Sequence, residues 1–125
     1  MSASENKAQA EAAYKAFAAG DLDNVMSNMA DDIEWIVPGD SGISGTYRGK
    51  DEVAGYFRTI AGKSFRTEPQ QFIAEGDHVA VLTRITVDGQ SADQVDVVTF
   101  RSDGKVARFQ PFGDTALQER VWGRK

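Results

Sequence analysis

Up to about residue 61 the apolar positions of this chain recur at spacings of three and four, and from residue 65 to residue 112 they alternate with polar ones at a spacing of two. The first spacing gathers side chains on one face of a helix and the second sends them to opposite faces of a strand. Residues 5–19 are expected to form a helix with Ser4 as its cap, Glu5 near its positive end, and Ala10, Ala13, Tyr14 and Phe17 on one face. Gly20 suits the position just past its end, and Asp21 caps a second, shorter helix that buries Leu22, Val25, Met26 and Met29 and ends at Ala30, Asp31 and Asp32. A short strand over residues 33–37 stops at Pro38 and Gly39. The Gly/Ser-rich loop through Ser41, Gly42, Ser44 and Gly45 is then expected over a pocket mouth. A third helix over residues 50–61 carries Val53, Tyr56, Phe57 and Ile60 as one stripe.

The strand pattern predicts residues 65–75, interrupted at Pro69 by an edge or a bulge, a turn at Gly76 and Asp77, and a strand over 79–87. Asp88-Gly89 and Asp103-Gly104 are both read as tight two-residue hairpin turns. Counting outward from the second pairs Phe100 with Ala107, Val98 with Phe109 and Asp96 with Pro111 on one apolar face; counting from the first brings Val81 opposite Asp96. A bulge within residues 91–93 would instead carry Arg84 to that face. Val97, Thr99, Val106, Arg108 and Gln110 fall on the other side. Asp114 and Thr115 cap a terminal turn bearing Leu117, Val121 and Trp122. Helices followed by a long antiparallel sheet make an α+β fold.

Asp96 is the misfit. A carboxylate on an otherwise apolar face must be paired, protonated or at the wall of a cavity. Its pKa is expected above the ~3.9 of a free Asp unless Arg84 reaches it as a charge partner.

Composition narrows the classes. The 125 residues suit a single domain spanning residues 1–125, and a net charge of −5 with scattered basic residues argues against a nucleic-acid or anionic-membrane partner. The chain has no cysteine and one histidine, His78, expected to be exposed, so no metal site is expected. Residues 42–45 lack the Lys and helix spacing of a phosphate loop, and no cofactor is expected. With no signal-like or membrane-spanning apolar run, a cytoplasmic protein is the expectation.

Five segments, YKAFAAGDLD from Tyr14, ADDIEWIVP from Ala30, GTYRGKDEVAGYF from Gly45, EGDHVAVLTR from Glu75 and FRSDGKVARFQPFGDT from Phe100, resemble in order and spacing the SnoaL-like branch of the nuclear transport factor two-like superfamily. The resemblance covers nearly the whole chain. It implies a cone-shaped fold in which a curved antiparallel sheet wraps around three N-terminal helices, as in the ketosteroid isomerases, and it implies a homodimer. In those isomerases a general-base Asp immediately precedes the Pro that ends the first strand; the matching residue here is Val37. Their oxyanion Tyr stands one position before Tyr14, at Ala13, and their protonated Asp matches Asp96, four residues before Phe100. The Arg and Asp that limonene-epoxide hydrolases carry two residues apart are not matched, because Thr86 follows Arg84 at that spacing. Polyketide cyclases use an acidic cavity residue as acid and base, the role Asp96 would fill.

The reading is therefore of a conical cavity that receives a small, mainly apolar organic molecule, with Asp96 and Tyr14 as catalytic candidates for isomerisation, cyclisation or another proton transfer. Phe17, Trp35, Val37, Tyr56, Phe57, Val81, Val98, Phe109 and Pro111 are expected as pocket walls. The alternative is a non-catalytic ligand-binding or homodimeric interaction module, in which Asp96 is a structural acid held by Tyr14, Arg84 or backbone groups.

Overall fold

The computed structural model describes residues 2–125. Its first helix, α1, spans Ala3–Ala18, and the cap is Ser2 rather than Ser4: the Ser2 side chain accepts from the Glu5 N–H while the Glu5 carboxylate accepts from the Ser2 N–H. This reciprocal box satisfies two donors that the first helical turn leaves without partners. Helix α2, Leu22–Ser27, is capped by Asp21 as expected, but it is a short turn that buries only Val25 and leaves Leu22 exposed. The chain is already extended at Met29, so strand β1 runs Met29–Val37 and takes in the residues expected to end the helix.

Strand β2, Gly45–Arg48, was not anticipated; it pairs antiparallel with β1 before helix α3, Gly49–Ala61. The helices therefore do not all precede the sheet. In α3 the expected stripe of Val53, Tyr56, Phe57 and Ile60 is buried against β1 and β2. Strands β3 (Arg66–Glu75), β4 (His78–Val87), β5 (Gln90–Phe100) and β6 (Val106–Phe112) follow, and helix α4 (Thr115–Trp122) closes the chain under an Asp114 cap. Pro69 lies on the edge strand, next to a register shift between Pro69 and Gln71, where its missing N–H costs no ladder bond.

The order β2-β1-β6-β5-β4-β3 makes one curved, unclosed sheet, with α1 packed on β3 and β4. The sheet is mixed and not wholly antiparallel: β1 and β6 run parallel, placing Trp35 beside Phe109. Their rings stack at a centroid distance of 3.9 Å.

The two Asp-Gly turns close differently. Asp88 and Gly89 both have positive φ, 51° and 76°, the geometry of a two-residue hairpin turn, and β4 and β5 pair without interruption from there. In the second turn only Gly104 has positive φ, at 85°; its N–H bonds to the Arg101 carbonyl, and Arg101 pairs with Lys105 across a three-residue loop. Phe100 consequently faces Val106 instead of Ala107. A register shift at Ala107 then restores the count, so that Val98 still meets Phe109 and Asp96 still meets Pro111. The two offsets cancel before they reach Asp96.

The Gly/Ser-rich loop is not at a pocket mouth. Ser41 and Ser44 are fully buried under α4, where the Ser41 hydroxyl bonds to the Ser44 hydroxyl at 2.9 Å and donates to Gln118 Oε1 at 3.4 Å. A bridge between Ser41 and Arg124 ties down the C-terminal segment.

Candidate functional site

Asp96 sits on a central strand, between Val81 of β4 and Pro111 of β6, and turns its side chain inward with 3% of its surface exposed. It forms part of the wall of a cavity of about 100 Å³ lined by α1, α2, α3 and the inner sheet face. That volume holds several waters or one ring-sized molecule. The Tyr14 hydroxyl donates to Asp96 Oδ2, and the Gln94 amide donates to Oδ1 at 2.8 Å.

Burial pushes the Asp96 carboxyl up from 3.8 to about 6, against the pull of the hydrogen bonds from Tyr14 and then Gln94. Tyr14 is driven well above the ordinary 10, first by burial and then by the Asp96 charge beside it. The pair therefore loses its first proton from the carboxyl.

Arg84 does not reach this carboxylate. The β4/β5 register is regular across residues 91–93, so no bulge turns Arg84 inward; it is exposed on the opposite face, in a 3.4 Å ion pair with Asp93. No Lys, Arg or His lines the cavity among the described residues.

Of the expected wall residues, Phe17, Trp35, Tyr56, Phe57, Val98, Phe109 and Pro111 line the cavity together with Tyr14 and Asp96. Val37 and Val81 do not. Both are fully buried in the core, Val37 in the cluster with Ile43 and Val53, Val81 in the one with Ala10 and Val79. Gln94 went unnoticed, although it stands two residues before Asp96 and so on the same strand face. Val106 was assigned to the outer face; the register shift beside it brings it to the cavity.

Tyr56 is buried on α3, and burial raises its hydroxyl well above the ordinary 10. The Trp35 indole draws it partly back, while the charges of Asp96 and Tyr47 raise it further. The Trp35 N–H is buried without a hydrogen bond of normal geometry among the described residues. His78 is exposed, with Nδ1 3.0 Å from the Thr99 hydroxyl. No group of three or more potential metal ligands occurs among the described residues, and no described helix is long and apolar enough to cross a membrane.

Residues 10–109 match the family model of the SnoaL-like domain. An uncharacterized protein of Mycobacterium tuberculosis is 29% identical over 117 residues, covering 87% of this chain and 89% of its own. Among solved structures, an NTF2-like protein of unknown function from Burkholderia pseudomallei is 31% identical with a TM-score of 0.82 and covers 98% of both chains. TerC, co-crystallized with polyporic acid, is 28% identical with a TM-score of 0.82, covering 94% of this chain and 97% of its own. Six strands curved around helices, and a domain match that runs from Ala10 on α1 to Phe109 on β6, lead to one conclusion: the chain belongs to the SnoaL-like domain family of the NTF2-like superfamily.

Proposed function

We propose that this protein binds a small, mainly apolar organic molecule in the cavity and catalyses a proton-transfer step, such as an isomerisation or a cyclisation, with Asp96 as the base that takes the proton and the acid that returns it. One observation carries this reading: Asp96 is the sole carboxylate lining an aromatic cavity among the described residues, has no cationic partner there, and titrates near 6. Acid–base catalysis is most efficient when the pKa lies close to the working pH. A carboxylate that is mostly ionised at neutral pH accepts a proton from a substrate C–H or O–H, and its protonated form is acidic enough to give that proton back at another atom. Tyr14 holds the carboxylate in place and stabilises its charge. Because Val37 offers no second base, one carboxylate must serve both half-steps. The co-crystal of TerC with polyporic acid supports ligand binding in a fold of this kind.

The competing reading is a non-catalytic ligand-binding or homodimeric module, and the outer sheet face favours its homodimer. Phe112 and Ile73 are 51% and 49% exposed there, alongside Ala80, Leu82, Val95 and Val97. A face this apolar is suited to a second copy of the chain. Dimerisation is compatible with catalysis, so the two readings separate at Asp96. Screening cyclic ketones for proton exchange with solvent, with wild type and Asp96→Asn side by side, tests them: exchange that disappears in the variant supports catalysis. Equal binding by both proteins with no exchange by either leaves the binding module.

A further inference from the structure

The edge strand brings to the cavity wall a hydroxyl that the proton-transfer reading does not use. Thr67 of β3 lines the cavity, and Phe72 of the same strand packs edge-on against Tyr14 at a centroid distance of 5.5 Å, so both face inward. In an unbroken strand residues five apart point to opposite faces. The register shift between Pro69 and Gln71 supplies the extra residue that lets them share one face, with Thr67 across from Ile85 and Phe72 across from Val81.

Thr67 Oγ1 lies 2.6 Å from Oγ1 of Thr83 on β4. Thr83 is 3% exposed, does not line the cavity, and has no other side-chain hydrogen bond among the described residues. Its cross-strand neighbours leave it none: Pro69 carries no polar side-chain atom, and the Gln94 amide donates to Asp96. A hydroxyl has one proton to donate. Were Thr67 to give its proton to Thr83, the Thr83 proton would be buried without an acceptor, which is costly. The pair is therefore ordered with Thr83 donating and Thr67 accepting, and the Thr67 O–H is left free at the half-buried rim of the cavity. Asp96 lies on the far side of β4, its backbone about 10 Å away across two strand spacings.

We propose that Thr67 is a specificity-determining residue at this rim: its hydroxyl donates to an acceptor oxygen of the ligand, and the ligand class is a neutral, ring-sized molecule that carries an oxygen substituent, such as an alkoxy group, at the end away from Asp96. This rests on the reading that the cavity binds a small, mainly apolar molecule. Neutrality follows from a lining with one carboxylate and no cation among the described residues, where an anion would be desolvated and repelled. The oxygen at the far end follows from a donor whose own acceptor side is already filled by Thr83. Thr67 takes no part in proton transfer; it selects which molecules sit with one end at Asp96.

The pair para-methylanisole and para-ethyltoluene, which exchange one oxygen for one methylene, tests the assignment. An ether oxygen only accepts, so an ionised Asp96 cannot hold it. Calorimetric titration at pH 8 compares wild type with the double variant Thr67→Val and Thr83→Val, which removes both hydroxyls at nearly constant shape. Wild type is expected to bind the anisole about fivefold more tightly, the worth of one neutral hydrogen bond, and the double variant should bind both probes alike. In wild type labelled at its threonine methyls, NMR cross-relaxation should set the probe's O-methyl protons against Thr67. In urea denaturation Thr67→Val should lower the midpoint more than Thr83→Val, because it alone strands a buried donor; the reverse order overturns the proposal. A preference that survives in the double variant, or equal binding of both probes to wild type, overturns the role of Thr67 and leaves the cavity reading standing. Binding of neither probe to wild type overturns both. Should the double variant fail to fold, O-methyl contacts in wild type that avoid Thr67 overturn the proposal by themselves.

Discussion

The Tyr14 hydroxyl donates a hydrogen bond to Oδ2 of Asp96 across 82 residues of sequence, joining the first helix to the fifth strand inside the cavity. Gln94 holds the other oxygen of the same carboxylate, so the acid is both buried and fully oriented. Burial nevertheless outweighs the two donors, which is why the carboxyl titrates near 6 and not below its ordinary value.

Asp96 makes the protein less stable as pH rises. Between 3.8 and about 6 the folded chain holds a proton that the unfolded chain has released, so stability is greatest below the lower value and falls until the upper one is passed. The loss amounts to about 3 kcal/mol. Urea denaturation of wild type and Asp96→Asn from pH 4 to pH 8 should show the variant gaining on wild type over that window; a stability difference that does not change with pH would count against a raised pKa.

Tyr14→Phe should raise the Asp96 pKa further, above about 6, because it deletes the stronger of the two bonds that favour the charged form. Gln94→Ala should act in the same direction with a smaller effect. Carbon-detected NMR titration of the Asp96 carboxyl reads both shifts, and a drop in either variant would show that the donors are not what holds the charge. At pH 8 Tyr14→Phe should also cost about 1.5–3 kcal/mol of stability, the range for a hydrogen bond to a charged group.

Val37→Asp restores the isomerase residue type at the end of β1 but should not restore the isomerase. Val37 is 2% exposed and packs in the core, away from the cavity, so a carboxylate there is desolvated without a partner. The expected result is a destabilisation of more than about 3 kcal/mol. The wild-type protein should also fail to isomerise a 5-ene-3-ketosteroid at an isomerase-like rate. Efficient turnover of that steroid would mean that a base acts from another position.

Phe112→Glu should turn a dimer into a monomer. Phe112 is half exposed on the outer face and lies across from Val95, so a charge there would be buried in any interface built on that face. Light scattering of wild type at micromolar concentration should give twice the chain mass, and a monomeric wild type would remove the homodimer.

Local chemistry made a large part of this protein legible in its sequence. The α3 stripe, the Asp21 and Asp114 caps, the Asp88-Gly89 turn and the pairing of Asp96 with Val81 all follow from periodicity, capping and turn geometry, which act within a few residues. Tertiary packing decided the rest. Met29 and Ala30 entered β1 because β6 lay alongside to pair with it, as Met29 does with Val106, and β2 formed against β1. At the second Asp-Gly turn Gly104 alone took positive φ, and the shift at Ala107 swung Val106 inward; dipeptide identity cannot separate that outcome from the one at Asp88. Arg84, Val37 and Val81 were placed correctly along their strands yet kept from the cavity, Arg84 by an unbroken register and the two valines by packing within the core. The charge on Asp96 was visible as an anomaly from the sequence alone. Which group would answer it, Tyr14 and Gln94 rather than Arg84, depended on how α1 lay across the sheet, because hydrogen-bond partners distant in sequence are chosen by the packing of whole elements and not by any signal within them.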